Sequence, residues 1–180
     1  DSLHEKGVSL IISVDCGITA AHEAEHAREM GVDLIITDHH ECREQTIPDA
    51  VAVIDPKQDD CAYPNKDLAG VGVGLKLVCA VEGSSEKAFA RYADLAAIGT
   101  VADVVPLTGE NRYIVRRGLQ MLEHTSRPGL AALLRESGAS ERKMSSSTIG
   151  FTLAPRLNAA GRLGEVSVAG RLLMTGDVNE

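Results

Sequence analysis

An acidic side chain and two imidazoles stand side by side in the sequence Thr37-Asp38-His39-His40. They follow residues 32–36, an apolar and β-branched run that is typical of a buried parallel strand. Carboxylate and imidazole groups at the end of such a strand can hold a divalent metal ion and bind a phosphate. The alternative is that Asp38 caps the next helix and that both histidines are ordinary surface residues.

A second carboxylate upstream favours the metal interpretation. Residues 9–14 are predicted to form a strand that ends at Asp15, and good helix formers over residues 20–30 are stopped by Gly31. This is a β-α-β unit, so we expect parallel strands and a right-handed crossover. Asp15 and the Asp38–His40 segment then emerge at the same carboxyl edge of the sheet, where open α/β sheets bind ligands.

The remaining elements extend this unit into an α/β fold. A third strand is predicted at residues 50–54, and helices at 68–81, 85–98, 111–123, 127–136 and from 167 onwards. The predicted fold class is a parallel sheet with flanking helices, followed by a helical segment that leads to an interdomain helix. The glycines of residues 69–74 lack the spacing of a dinucleotide fingerprint. We interpret them as close helix packing or close backbone approach to the site, with packing favoured.

Asp103 is a third candidate ligand. It is a lone carboxylate within the apolar stretch 99–107, where we expect burial, and an isolated buried charge is costly unless it is paired or ligates a metal. The alternative is a helix-capping aspartate. Together with Asp15, Asp38 and His39 it provides oxygen and nitrogen ligands without a thiolate. That set suits Mn²⁺ or Mg²⁺.

A possible phosphate-contact segment lies at residues 155–164. Arg156 and Arg162 offer planar forks to phosphate oxygens, Asn158 offers an amide, and Gly161 permits close backbone approach. The alternative is a solvated loop with interdomain salt bridges.

Composition limits the class of protein. The net charge of −8 argues against a protein that coats nucleic acid nonspecifically, although one local site remains compatible with it. The four cysteines are scattered and form no zinc-type pair, which favours free thiols in a reducing cytoplasm. No apolar run approaches the roughly 18 residues that span a bilayer, so no membrane partner is expected.

Five motifs, in order, closely resemble the RecJ-type single-stranded-DNA-specific exonucleases of the DHH phosphoesterase superfamily. They cover nearly the whole chain and stand at residues 14–18 (VDCGI), 37–40 (TDHH), 68–73 (LAGVGV), 99–107 (GTVADVVPL) and 155–162 (PRLNAAGR). The Asp-His-His motif alone has little specificity, whereas the five together are highly specific. The last motif separates this group from DHH enzymes that act on small molecules.

The resemblance implies a nuclease with two Mn²⁺ or Mg²⁺ ions that releases mononucleotides from a 5′ end in DNA repair and recombination. It implies Asp15 as the bridging ligand, His39 and Asp103 on one metal, His40 at the scissile phosphate and Asp38 as a supporting carboxylate. Residues 156–162, with Arg156, Asn158, Gly161 and Arg162, would lie along the DNA. The implied partners are single-stranded DNA and, secondarily, a single-strand-binding protein and a helicase.

The resemblance also implies a division of the chain. Residues 1–107 would be part of the catalytic α/β domain, 108–164 its helical part with the substrate-contact segment, and 165–180 the start of a connecting helix. We expect the family's first Asp-rich metal motif before Asp1 and a second domain after Glu180, so this segment alone should be inactive. The alternatives are a DHH phosphatase for short oligonucleotides or cyclic dinucleotides, and a non-catalytic DHH scaffold.

Overall fold

Three parallel strands form the sheet of this α/β protein, as the sequence predicts. In a computed structural model that describes residues 1–42 and 47–179, the strands are β1 (Leu10–Val14), β2 (Asp33–Thr37) and β3 (Ala52–Ile54), in the order β1-β2-β3. Both pairs are parallel, and Val14, Thr37 and Ile54 stand in line at the carboxyl end. The residue that follows each strand therefore lies at one edge.

The sheet belongs to the first of two units, Asp1–Gly83 and Ser84–Glu180. A short 3₁₀ helix, His4–Lys6, precedes β1. Helix α1 (Ala21–Glu29) contacts β2, and helix α2 (Gly70–Glu82) contacts β1 and β2. Branched and small apolar side chains fill this unit, because the chain has few aromatic residues; the buried ones are Ile18, Ala24, Val32, Ile36, Leu68, Ala69, Val73 and Leu75.

The second unit is helical. It contains α3 (Ser85–Ala102), α4 (Gly109–Leu122), α5 (Pro128–Glu136), the short α6 (Ser146–Thr148), a π-helical turn at Ile149–Leu153, α7 (Ala154–Arg162) and α8 (Val166–Met174). Ser84 caps α3 by accepting a hydrogen bond from the Lys87 N–H. Pro128 begins α5 at a position where no amide donor is needed.

Helices α3 and α4 pack closely enough to require a glycine. A Cβ atom on Gly118 would lie 2.2 Å from the carbonyl oxygen of Ala93 and 2.2 Å from the Cβ of Ala97. Nearby, the Nε of Arg127 donates to Asp94 at 2.8 Å, which pairs a carboxylate that is only 3% exposed. An apolar cluster that runs from Ala97 to Leu153 completes the core of this unit.

One alternative and one expectation from the sequence do not hold. Residues 155–162 do not form the solvated loop that was the alternative to a phosphate-contact segment, because Ala154–Arg162 is an α-helix with Pro155 in its first turn, where proline is tolerated. The last described helix ends at Met174, and Glu180, the end of the predicted connecting helix, lies outside the described residues. None of the helices in the described part of the chain is long and apolar enough to cross a membrane.

The boundary between the units falls within residues 1–107, which the sequence analysis groups as the α/β domain. The three-part division at residues 107 and 164 remains a prediction.

Candidate metal centre

An aspartate follows each strand directly at the carboxyl edge of the sheet. These residues are Asp15 after β1, Asp38 after β2 and Asp55 after β3. The strand ladder continues through the first two, because the Asp15 N–H donates to the Thr37 carbonyl and the Asp38 N–H to the Ile54 carbonyl. Parallel pairing therefore brings Asp15 and Asp38 to one edge, as predicted from the β-α-β unit, and places Asp55 at the same edge.

Asp15, His39 and His40 form a cluster of possible metal ligands. One ligand-capable atom of each lies within 4.8 Å of the others. His39 is 7% exposed, and its Nε2 lies 3.0 Å from Oδ1 of Asp15. The two imidazole rings are tilted by 57° with centroids 4.6 Å apart. One carboxylate and two imidazoles provide oxygen and nitrogen donors that suit Mn²⁺.

Asp15 adopts an unusual backbone conformation at this site. Its φ is 64°, in the left-handed region that aspartate tolerates better than most side chains. The side chain is 53% exposed, so its carboxylate is accessible from solvent. A strained conformation at a possible ligand is a common feature of functional sites, where the surrounding structure maintains it.

A glycine on α2 makes room for this carboxylate. A Cβ atom on Gly70 would lie 2.1 Å from Oδ1 of Asp15, whereas one on Gly74 would lie 3.1 Å from a methyl carbon of Val14. The glycines of this stretch thus serve both suggested purposes, with backbone approach to the site at Gly70 and packing at Gly74. The Asp15 carboxylate occupies the place that a side chain on Gly70 would take, and the carboxylate and imidazole donors of the cluster suit a divalent metal ion.

Asp38 supports the site from within the protein. It is 1% exposed, and its carboxylate accepts hydrogen bonds from the backbone N–H groups of Ile18 at 2.9 Å, His39 at 2.8 Å and His40 at 3.3 Å. It also lies 2.6 Å from Nδ1 of His40. Burial alone raises the pKa of Asp38, but these hydrogen bonds together outweigh burial and hold the pKa below its ordinary value. Asp38 therefore positions the backbone of both histidines and the ring of His40.

Asp55 is a further carboxylate at this edge, which the sequence interpretation did not include among the candidates. It is 1% exposed; its Oδ1 accepts from the Lys57 N–H at 2.8 Å, and its Oδ2 has no hydrogen-bond partner among the described residues. Burial raises the pKa of Asp55, and the negative charge of Asp38 adds to this effect, against a smaller opposing influence of Lys57 and His39. The signal that could have found it is an aspartate directly after all three strands.

Asp103 is exposed, so the expectation of a buried charge is wrong. It occupies the C-cap of α3, and its N–H donates to the Gly99 carbonyl. The negative end of the helix dipole disfavours a carboxylate at a helix C-terminus, so a nearby cation would stabilise this side chain. Asp103 belongs to the second unit, and its participation in the metal centre remains a prediction.

The possible phosphate contacts all lie on α7 and are exposed, namely Arg156, Asn158, Gly161 and Arg162. Asn158 and Arg162 are four residues apart and share a helix face, whereas Arg156 is on another side. The Arg156 guanidinium donates to the Thr152 carbonyl at 2.7 Å. The helix thus does not direct all four groups to one point.

Comparison with known proteins gives the family. The description "DHH family, N-terminal domain" matches residues 2–100, and the chain therefore belongs to the DHH family. Within that family, it resembles the single-stranded-DNA-specific exonuclease RecJ of Bacillus subtilis (strain 168), with 51% identity over 98% of this chain and 22% of that protein. RecJ of Escherichia coli (strain K12) is 41% identical over 100% of this chain and 33% of its own length.

Solved structures agree with this fold. A crystal structure of exonuclease RecJ bound to manganese has a TM-score of 0.84 and 38% identity, covering 99% of this chain and 45% of that one. RecJ from Thermus thermophilus in complex with Mn²⁺ has a TM-score of 0.83 and 37% identity, with coverages of 99% and 26%. This chain thus spans between about a fifth and a third of the curated relatives reported above.

Proposed function

We propose that this chain is part of a metal-dependent exonuclease that hydrolyses phosphodiester bonds in single-stranded DNA, from the 5′ end. The observation that carries the proposal is the cluster of Asp15, His39 and His40 at the carboxyl edge of the sheet, where the absence of a side chain at Gly70 accommodates the Asp15 carboxylate. The chain resembles RecJ exonucleases over nearly its whole length, which supports single-stranded DNA as the substrate class.

The residues of the metal centre would have different roles. Asp15 and His39 would hold Mn²⁺ or Mg²⁺, with Asp103 as a further ligand. Metal ions of this kind activate water near neutral pH and stabilise the charge that develops on a phosphate. Asp38 holds Nδ1 of His40, so that the other ring nitrogen can face a phosphate oxygen. Its proximity to Asp15 also makes His40 a possible ligand.

The four residues on α7 would contact the DNA backbone. Arg156 and Arg162 bring positive charge, and Asn158 and Gly161 a side-chain amide and a small surface. The wider setting is also a proposal, namely DNA repair and recombination in the cytoplasm with a single-strand-binding protein and a helicase as partners. Four free cysteines are in keeping with a reducing compartment.

Activity of the full-length protein tests the proposal. Mn²⁺-dependent release of mononucleotides from single-stranded DNA is expected, and Asp15→Ala should abolish it while much of the DNA binding remains, because phosphate contacts elsewhere hold the strand. Equal loss of binding and cleavage would contradict the role of Asp15.

A series of substrate lengths separates the other candidates. A DHH phosphatase would prefer short oligonucleotides or cyclic dinucleotides over longer strands. A scaffold would bind no metal by calorimetry and cleave none of these substrates.

A further inference from the structure

The acidic net charge of the chain conceals a basic second unit. Residues 84–180 contain 12 of the 18 lysines and arginines but only 10 of the 26 aspartates and glutamates. This unit therefore has a small positive charge, and the acidic excess lies entirely in residues 1–83. A basic region in an otherwise acidic protein is the pattern expected where a polyanion binds locally.

Three arginines form one exposed face of α4, which we call the α4 arginine face. These are Arg112, Arg116 and Arg117. The opposite side of the helix carries the buried residues Ile114, Val115, Gly118 and Leu122, which fixes the arginines towards solvent. Arg112 and Arg116 are four residues apart, so their side chains are neighbours on the helix surface.

Helix stability does not account for this arrangement. No aspartate or glutamate stands three or four residues from any of the three arginines, and within the described part of the chain none of them forms a salt bridge. Like charges at positions i and i+4 destabilise a helix. Arg112 also lies in the first turn of α4, where the helix dipole disfavours a cation.

An exposed aromatic ring adjoins these arginines. Tyr113 is 55% exposed, and its ring lies 5.3 Å from that of Phe89 with an interplanar angle of 56°. Phe89 supports the tyrosine from one side and leaves much of it accessible. Cationic groups that follow a phosphate backbone, beside an aromatic ring on which a base can stack, are the combination that binds single-stranded nucleic acid.

We propose that the α4 arginine face and Tyr113 form an additional binding surface for single-stranded nucleic acid, outside the metal centre and outside α7. The arginine forks bind backbone phosphates, and Tyr113 stacks with a base. The accessible ring favours a nucleic acid over an acidic peptide, which would use the charges alone. This inference rests on the proposed function because that function supplies the substrate class.

Binding to the full-length protein provides the test. Fluorescence anisotropy with a labelled oligo-dT of about 20 nucleotides, in EDTA and at a series of salt concentrations, measures affinity without cleavage. The triple variant Arg112→Gln, Arg116→Gln, Arg117→Gln is expected to bind at least about 10-fold more weakly and to lower the salt slope by about 2, since each single-strand phosphate contact contributes roughly 0.7.

A control variant makes the same change of charge elsewhere in the unit. It is Arg135→Gln, Arg142→Gln, Lys143→Gln, three exposed residues outside the α4 arginine face and α7, and it should change affinity less than about 2-fold. Equal losses in both triple variants, or no loss in the α4 variant, would overturn the proposal. Circular dichroism checks folding, and Arg116→Gln alone reports on the face if the triple variant does not fold.

Tyr113 separates stacking from charge. Tyr113→Leu should weaken oligo-dT binding several-fold, and Tyr113→Phe should retain it, because a base stacks on either aromatic ring. Equal affinities of Tyr113→Leu and wild type would overturn the stacking role. If the triple variant of the α4 arginine face binds oligo-dT as wild type does but no longer binds a poly-Glu peptide, the nucleic-acid assignment is overturned. If the wild type shows no Mn²⁺-dependent cleavage, the proposed function is refuted. The oligo-dT affinities of wild type and variants can still be compared, because binding is measured without metal.

Discussion

Asp38 is a buried carboxylate at the end of β2 whose two oxygens are engaged in hydrogen bonds within the protein. Both of its oxygens accept hydrogen bonds, and three of the donors belong to the two histidines that follow it. The carboxylate therefore fixes the turn that leaves β2 and the orientation of the His40 ring. Asp15, which is accessible, is better placed to meet a metal ion or a substrate.

Replacing Asp38 should destabilise the fold in a pH-dependent way. Asp38→Asn replaces one acceptor oxygen with a donor, and at pH 7 we expect a loss of about 1–3 kcal/mol in the free energy of unfolding. The pKa of Asp38 is lowered in the folded state, so its stabilising effect is present above the ordinary value of 3.8 and is lost as the pH falls through the folded-state pKa. Urea unfolding at a series of pH values from neutral to about 3 measures this dependence.

The exposed Asp33 provides the matched control for that experiment. Asp33→Asn, at the start of the same strand, should change stability by less than about 0.5 kcal/mol at pH 7. A difference between wild type and Asp38→Asn that does not narrow in acid would argue against the stabilising charge.

At the scale of the elements, the absence of a side chain at Gly70 allows α2 to lie close to Asp15 at the end of β1. Gly70→Ala should displace the Asp15 carboxylate, because the new Cβ would lie 2.1 Å from its Oδ1. We expect Mn²⁺ affinity, measured by titration calorimetry on the full-length protein, to fall about 10–100-fold, as for other changes that disturb a metal ligand indirectly.

Gly74→Ala, one turn further along α2, is the control, since its Cβ would meet only a methyl carbon of Val14 at 3.1 Å. It should retain metal affinity even if packing costs some stability. Similar metal affinities in the two variants would contradict the role of Gly70.

The end of α3 contains a second strained residue. Val104 has a φ of 60°, is 86% exposed and follows the C-cap Asp103, at the position where helices commonly carry a glycine. Because a β-branched residue is strained in this conformation, Val104→Gly should raise the free energy of unfolding by about 0.5–1 kcal/mol.

Val81→Gly serves as the comparison in thermal and urea unfolding. Val81 is 80% exposed within α2, where glycine should instead destabilise, by about 0.5 kcal/mol. A loss of stability in Val104→Gly comparable to that in Val81→Gly would show that the backbone at Val104 is not strained.

The strands and their common edge were predictable because β-branched runs and a crossover of helical length determine parallel pairing locally. The exposure of Asp103 was not, since an apolar neighbourhood in sequence does not reveal which side of a helix end faces solvent. Gly70 was ambiguous for a similar reason, because its role depends on the side chain of Asp15, which is distant in sequence. Asp55 could have been predicted from the sequence, because it follows the third strand as Asp15 and Asp38 follow the first two. The proline after it, however, indicates a turn.

For the molecule as a whole, charge is divided between a strongly acidic first unit and a slightly basic second unit. Binding to DNA should therefore depend on salt more steeply than the net charge of −8 suggests.

Arg156→Ala in the full-length protein should weaken single-stranded DNA binding and reduce the salt slope by about 0.7, as for one lost phosphate contact. Anisotropy at several salt concentrations gives the slope, and an unchanged value would leave Arg156 with a local helix contact only.

The three aspartates at matching ends of the strands also bear on the order of folding. Parallel strands must pair across long connections, which is slower than helix formation. The carboxylates meet only when that pairing is nearly complete, so their repulsion opposes the last stage of folding rather than the first. A divalent cation that binds at this edge would then leave the folding rate almost unchanged and slow unfolding, which makes it a kinetic lock on a sheet that has already formed.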